Sequence, residues 1–487
     1  MKRIWIRFAR AAQAALLYLV LPVASAQLED GIVAEQAMIR VASYATIDGF
    51  LDRFTQDWPG TYVARDIASR KTYLLQLPPG ASEPAVYQNL QGYVNPNPAV
   101  PDPNRPLVWA ELNWLGRASE GRTGSIYFNE DPGHAGRFGS QYALERMKIL
   151  PAQARSEGQS TVVAVLDTGV DATHPALLGR VLDGYNFVDL NGDTRDIPGP
   201  DGASDLVGHG TFVAGLVMLV APKTRIMPVR VLNGAGVGDS FVLAQGMYYA
   251  IDRGVEVINL SLGSTYHSSA VEDAVEEARS LGIVTVAAGG NSNVEEPEEF
   301  PAMTSDAFGI VAVDHNDIKA DFSNYNDKAF LSAPGNTLGG PGSFDPDRAI
   351  YGPIPGGSYA VWEGTSFSTA LASGVVALIR AQHPEWPAAP QTVFAIRAVF
   401  EASAVNIDPL NPQYAGLLGV GRIDAAAAVA FGPVAPKLGD LNNDGVVNIS
   451  DLGILLGTWG QTHSPADLDG NGIVGQGDLG ILIYAWD

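Results

Sequence analysis

The 487-residue chain has no cysteine. Disulfides and thiolate chemistry are thereby excluded, so a protein of this kind working in an oxidising compartment needs another staple, for which bound calcium is the natural choice. Cations are scarce: 30 Lys and Arg stand against 53 acids, for a formal net charge of −23. No basic patch interrupts that balance, which argues against nucleic acid as a partner. Long apolar runs are also few. One, from Ala11 to Val23, follows Lys2, Arg3, Arg7 and Arg10 and precedes the small residues Ala24-Ser25-Ala26. It is too short to favour a membrane span, and the pattern is that of a secretory signal over residues 1–26. The expectation is a secreted or extracellular protein with no membrane span in its mature form.

What is present is ordinary globular material, 46% apolar and 17% charged, with 54 glycines and 32 prolines that imply many turns. The length allows more than one domain. Residues 27–128 alternate weakly between helix-like and strand-like pieces, cross the loop Asn95-Pro96-Asn97-Pro98, and end in the short apolar strand Val108–Asn113. A Gly-rich polar stretch, Ser119–Gly139, reads as flexible and cleavable. From 129 to 432 strands alternate with helices. Thr161–Leu166 is a continuous apolar, β-branched run, as in a buried parallel strand; Ile226–Leu232, Val255–Ser261 and Ile283–Ala288 are similar runs, and Ser240–Arg253 and Ser268–Leu281 read as helices between them. Residues 433–439 form a linker. Beyond it, 440–487 contains a repeat with an offset of 27 residues.

Three segments carry chemistry. Val165-Leu166-Asp167-Thr168-Gly169 ends a predicted buried strand with an acid. Gly208-His209-Gly210-Thr211 places an imidazole at a helix start. Gly364-Thr365-Ser366-Phe367-Ser368 opens a run of small and apolar residues that predicts a buried helix. Acid, base and hydroxyl are what acyl transfer through a serine requires, and a serine in the first helical turn sits in the positive field of the helix terminus. Each alone has a blander reading: a strand-end cap, a packing histidine, an N-cap serine.

Together the segments resemble the Asp, His and Ser motifs of the subtilisin family of serine endopeptidases (subtilases), in the family's order and over residues 140–432. The resemblance implies a subtilisin-like α/β fold, a parallel sheet flanked by helices, with Asp167, His209 and Ser366 as catalytic residues. Ala287–Ser292 resembles the strand ending in the oxyanion-hole asparagine, which gives that role to Asn291. Asn259–Gly263 resembles the substrate-pairing strand, which makes Ser261, Leu262 and Gly263 substrate-binding. Three departures stand out. Phe367 follows the serine where the family has Met, Ala370-Leu371 occupy the family's Pro-His places, and Phe212 stands where many members carry His. Residues 27–128 occupy the place of a removable, inhibitory α+β prosegment, with Val108–Asn113 similar to its last strand; a permanent accessory domain is the competing reading.

In each C-terminal repeat, oxygen ligands at loop positions 1, 3 and 5, Gly at 6, a carbonyl at 7 and an acid at 12 follow calcium-loop spacing. Loop one offers Asp440, Asn442, Asp444, Val446 (carbonyl), Asn448 and Asp451; loop two offers Asp467, Asp469, Asn471, Ile473 (carbonyl) and Asp478. A duplicated loop-helix unit with Asp at position 12 resembles a dockerin, a small all-α module. That implies calcium as cofactor and a cohesin-type partner beside protein or peptide substrates. The acid-rich stretch with Asp189, Asp193, Asp196, Asp201 and Asp205 is either a further calcium site or a solvated loop. The alternatives to a tethered endopeptidase are a catalytically inactive subtilase-fold binding protein and an esterase.

Overall fold

The computed structural model describes residues 31–121, the backbone of 127–130, and residues 135–198, 205–337, 345–431, 437–442, 446–461, 464, 466–469 and 473–487. The signal-like stretch, Asp201, Asp444 and Asn471 lie outside the described residues.

The first unit is a four-stranded antiparallel sheet of β1 (Ile32–Val41), β2 (Tyr62–Ile67), β3 (Thr72–Gln76) and β4 (Leu107–Ala118), in the order β4-β1-β3-β2. Helices Ile47–Asp57 and Glu83–Gln91 supply Phe50, Phe54, Val86 and Leu90 to a core shared with Ile39 and Leu75. Thr46 caps the first helix by accepting from the Gly49 N–H at 3.2 Å.

The stretch predicted to be loose, Ser119–Gly139, is partly structured. Residues Ser119–Gly121 form a 3₁₀ turn, and β5 (Tyr127–Glu130) pairs with the later hairpin of β15 and β16 described below. The physical reason is that this hairpin has an open edge, and the Tyr127-Phe128 pair has the strand preference to take it. The expected boundary at 128/129 therefore falls inside a strand.

The main unit holds β6 (Val162–Asp167), β7 (Tyr185–Asn186), β8 (Arg225–Arg230), β9 (Val237–Asp239), β10 (Val257–Leu260), β11 (Leu262–Gly263), β12 (Val284–Ala288), β13 (Ala307–Val313), β14 (Leu331–Pro334), β15 (Tyr351–Ile354) and β16 (Ser358–Trp362). Seven of these form one parallel sheet, β14-β13-β12-β10-β6-β8-β7. Its central strands are apolar on both faces because helices cover both. The observed strands and the helices Ser240–Asp252 and Ser269–Ser280 fall within a few residues of their predicted limits. Helices His209–Val220 and Thr365–Gln382 cross so closely that a Cβ on Gly374 would lie 2.5 Å from the Val220 Cβ.

The two units meet along β4, which pairs antiparallel with both β9 and β11. Around this junction the contacts are polar and specific. The Glu111 carboxylate accepts from the Ser268 hydroxyl (2.9 Å) and from the Ser269 and Ala270 N–H groups (2.8 and 3.1 Å), so an acid of the first unit caps a helix of the second. Trp109 Nε1 and Arg40 both bind Asp273, and Arg70 binds Asp252 and Glu277.

At the C-terminus, helices Ile449–Gly457 and Gln476–Tyr484 pack Leu455 and Leu482 with Val447, Ala466 and Leu468 into a small core of their own.

Candidate active site

Asp167 lies at the carboxyl end of β6, where an open parallel sheet presents functional groups. His209 opens its helix after Gly208, whose φ of 104° suits glycine, and a side chain on Gly210 would collide with the Gly169 carbonyl, 2.1 Å from the Cβ position. Asp196 ties these turns together. It accepts from Thr168 Oγ1, the Gly208 N–H, and the N–H and hydroxyl of Thr211, at 2.7 to 3.0 Å. It is a buried backbone clamp, while its neighbour Asp193 pairs with Arg195.

The His209 Nδ1 is 2.8 Å from Asp167 Oδ1, and both side chains are fully buried. Ser366 stands in the first turn of helix Thr365–Gln382, with its hydroxyl oxygen 3.1 Å from the Ser261 carbonyl. Between imidazole and hydroxyl sits an acid that the sequence reading missed, Glu120. Its Oε2 accepts from Ser366 Oγ at 2.6 Å and lies 2.8 Å from His209 Nε2. Its Oε1 accepts from Asn291 Nδ2 at 3.2 Å and from the Ser366 N–H at 3.4 Å. Asn291 is aimed by its own carbonyl oxygen, which accepts from the N–H and hydroxyl of Thr365. The carboxylate thus spans two sets of groups, the hydroxyl and imidazole on one oxygen and two N–H donors on the other. No pattern in the sequence sets Glu120 apart from the other acids; its position follows from where β4 ends.

Burial alone lowers the pKa of His209, but the charges of Asp167 and Glu120 on either side outweigh it and hold the imidazole up at about 10. It is an imidazolium at neutral pH with both ring N–H groups engaged, so it has no lone pair with which to accept a proton while Glu120 is in place.

Leu262 and Gly263 pair with Ala118 and Arg117, and Ser261 donates its hydroxyl to the Ser366 carbonyl at 3.0 Å. The strand lying along Leu262 and Gly263 is therefore the chain's own β4. Phe212 and Phe367 lie 4.5 Å apart, ring to ring, and Phe367 also lies 5.6 Å from the His209 ring, so these two of the departures from family pattern pack on each other beneath the imidazole.

In the C-terminal loops, the position-12 acids organise the backbone. Asp451 accepts from the N–H groups of Leu441, Asn442 and Asn448, and Asp478 from those of Leu468, Asp469 and Gly475. Oxygens of Asp467, Asp469 and Asp478 lie within 4.8 Å of one another, a donor set suited to a hard divalent cation. The Asn448 side-chain oxygen is used as a helix cap, accepting from the Ser450 N–H at 2.8 Å. Arg279 of the main unit reaches Asp467 at 3.2 Å.

A parallel sheet with an acid, an imidazole and a serine hydroxyl gathered at its carboxyl edge defines a serine hydrolase of α/β type. The chain belongs to the subtilase family, whose model matches residues 158–435. It is similar to thermitase of Thermoactinomyces vulgaris, with 34% identity over 63% of this chain and all of that protein, and to a thermophilic serine proteinase of Bacillus sp. strain AK1, with 37% identity over 67% and 74% of the two chains. Its fold is similar to the crystal structure of fervidolysin from Fervidobacterium pennivorans, a keratinolytic enzyme related to subtilisin, at a TM-score of 0.62, 22% identity, and coverage of 82% and 61%. The protein is a serine-type endopeptidase, acting on protein or peptide substrates. Among the described residues no helix is long and apolar enough to cross a membrane.

Proposed function

We propose that this endopeptidase is secreted as a zymogen, is held closed by residues 27–128, and is tethered through residues 440–487 by a calcium-dependent dockerin-like module to a cohesin-type partner. Ser366 is the nucleophile. With Glu120 withdrawn, His209 Nε2 takes the hydroxyl proton as Ser366 Oγ attacks the scissile carbonyl, and Asp167 stabilises the imidazolium that forms. The oxyanion takes the place of Glu120 Oε1, facing Asn291 Nδ2 and the Ser366 N–H. Collapse expels the amine with the proton from His209, and water, activated by the same imidazole, hydrolyses the acyl-enzyme. Loss of the Asn291 donor lowers kcat by about 10²–10³, the magnitude established for the corresponding asparagine of subtilisin.

The observation that carries the zymogen reading is the Glu120 carboxylate lodged on hydroxyl, imidazole and both oxyanion donors at the end of a strand that fills the substrate cleft. The acid-rich loop pair, folded around Asp451 and Asp478, supports the calcium module. Calcium would there be held by the side chains of loop one and loop two and would draw each loop onto its helix. Intact-mass and N-terminal analysis of the secreted protein tests the zymogen reading. A mature chain beginning between about 119 and 140 is expected; an active protein still covalently joined to residues 31–118 contradicts it.

A further inference from the structure

We infer that Asn324 is a positioning residue for catalysis, holding the turn that carries Asn291 so that the Asn291 amide meets the developing oxyanion. The inference rests on the oxyanion role given above to Asn291. On one side of that residue, Thr365 fixes the amide through two bonds to its carbonyl oxygen, and Thr365 Oγ1 accepts from the Gly290 N–H at 3.1 Å. On the other side the chain runs out to the surface. Ser292 and Asn293 are exposed, and Asn293 adopts a φ of 54°. Such a turn wanders unless its polar groups are tied down.

One buried side chain ties it. Asn324 Oδ1 accepts from the Ser292 N–H at 2.9 Å and from the Val294 N–H at 3.2 Å, and the Asn324 N–H donates to the Gly290 carbonyl at 2.9 Å. Chain on both sides of Asn291 is therefore held by a single residue, itself only 4% exposed. The fit is close, since a Cβ on Gly290 would lie 2.3 Å from Asn324 Nδ2. Neighbours of Asn324 complete the mould. The Asn293 N–H donates to the Phe322 carbonyl at 2.7 Å, and the Tyr325 N–H donates to the Val294 carbonyl at 3.2 Å. Buried Lys319 donates to Asn293 Oδ1 at 2.7 Å, with its ammonium 5.2 and 5.0 Å from the ring centres of Tyr325 and Tyr414.

The mould is anchored in the core rather than in another loop. The Ala320 N–H donates to the carbonyl of Ala312 in β13 at 3.0 Å, and the Ala312 N–H donates to Ser323 Oγ at 2.9 Å. Ala312 is fully buried. The place of Asn291 is thus referred to β13 through Asn324, as its rotation is referred to the Ser366 helix through Thr365. A donor serves an oxyanion only at hydrogen-bond distance from where the charge develops. Displacing a group at the reaction centre by about 1 Å costs about 10²-fold in rate.

A residue that only stabilises the fold lowers activity by the same factor whether or not Asn291 is present, so a double-mutant cycle separates the two roles. Full-length protein and its variants are matured with tagged wild-type enzyme, which is then removed, and kcat is referred to active sites counted by fluorophosphonate labelling. Asn324→Ala is expected to lower kcat by about ten- to a hundred-fold, with KM within about threefold of the unchanged protein. In an Asn291→Ala background, where kcat is already down by about 10²–10³, the same change should cost no more than about twofold. If Asn324→Ala does not fold, Lys319→Met takes its place, with a fall in kcat of about threefold or more that again vanishes without Asn291. For whichever variant is used, an unchanged kcat, a loss carried by KM, or an equal loss in both backgrounds overturns the inference. An unchanged kcat in Asn291→Ala itself strikes instead at the oxyanion reading, and the inference falls with it.

Discussion

Glu120 turns a generic base into a cation. With the segment closed, His209 titrates near 10, because two carboxylates outweigh the effect of burial. Its value in the closed form lies above the ordinary imidazole range, so closure takes up a proton. The resulting stabilisation is complete below about pH 6.5 and is lost as the pH rises through about 10. Latent full-length protein is therefore expected to activate faster as pH is raised from 7 to 10, followed by peptide hydrolysis against time. A rate independent of pH over that range would count against the Glu120–His209 pair. Glu120→Gln removes one charge and should flatten this dependence and shorten the lag. At the neighbouring position, Phe367 replaces an oxidisable thioether, so activity should survive dilute peroxide; rapid loss would show that another group beside Ser366 is the vulnerable one.

At the level of elements, the parallel strands were legible in the sequence because strands buried on both faces read as mostly apolar runs: Val162–Leu166 in β6, Ile226–Val229 in β8 and the apolar residues around Asn259 in β10 and Thr285 in β12 all do. Asp167, His209 and Ser366 were legible because a strand end, a glycine-flanked turn and a small-residue helix each leave a local pattern. The pairing of β4 with β9 and β11 was not. It joins the end of β4 to two short strands around Gly116, Gly238 and Gly263, where neither alternation nor apolar content specifies a register. For the same reason Glu120 was invisible: its importance comes from where a strand ends in space. Glu111, by contrast, caps a helix more than 150 residues away, and the junction offers a direct test. Glu111→Ala should weaken the closed form by about 1 kcal/mol or more, seen as faster release of the N-terminal unit, since it frees two helix N–H groups in a buried place. Unchanged release would mean that β4 alone holds the units together.

For the whole molecule, a chain without disulfides depends on its large core for the main unit, and under the calcium reading proposed above its smallest unit depends on metal. Among the described residues the C-terminal core contains six buried apolar residues, few to hold acid-rich loops against their own repulsion. Chelation is expected to open residues 440–487 to proteolysis while leaving the main unit folded, monitored by limited digestion and circular dichroism of the full chain. Equal protection with and without calcium would contradict the calcium module. Because Arg279 touches Asp467, the same experiment on Arg279→Ala should show earlier opening.

The most direct test of the central claim is the site of covalent modification. Full-length protein matured at alkaline pH, treated with a fluorophosphonate and mapped by peptide mass spectrometry should carry a single adduct on Ser366, absent from His209→Ala. An adduct on another residue, or none once the N-terminal unit has been released, would contradict the account.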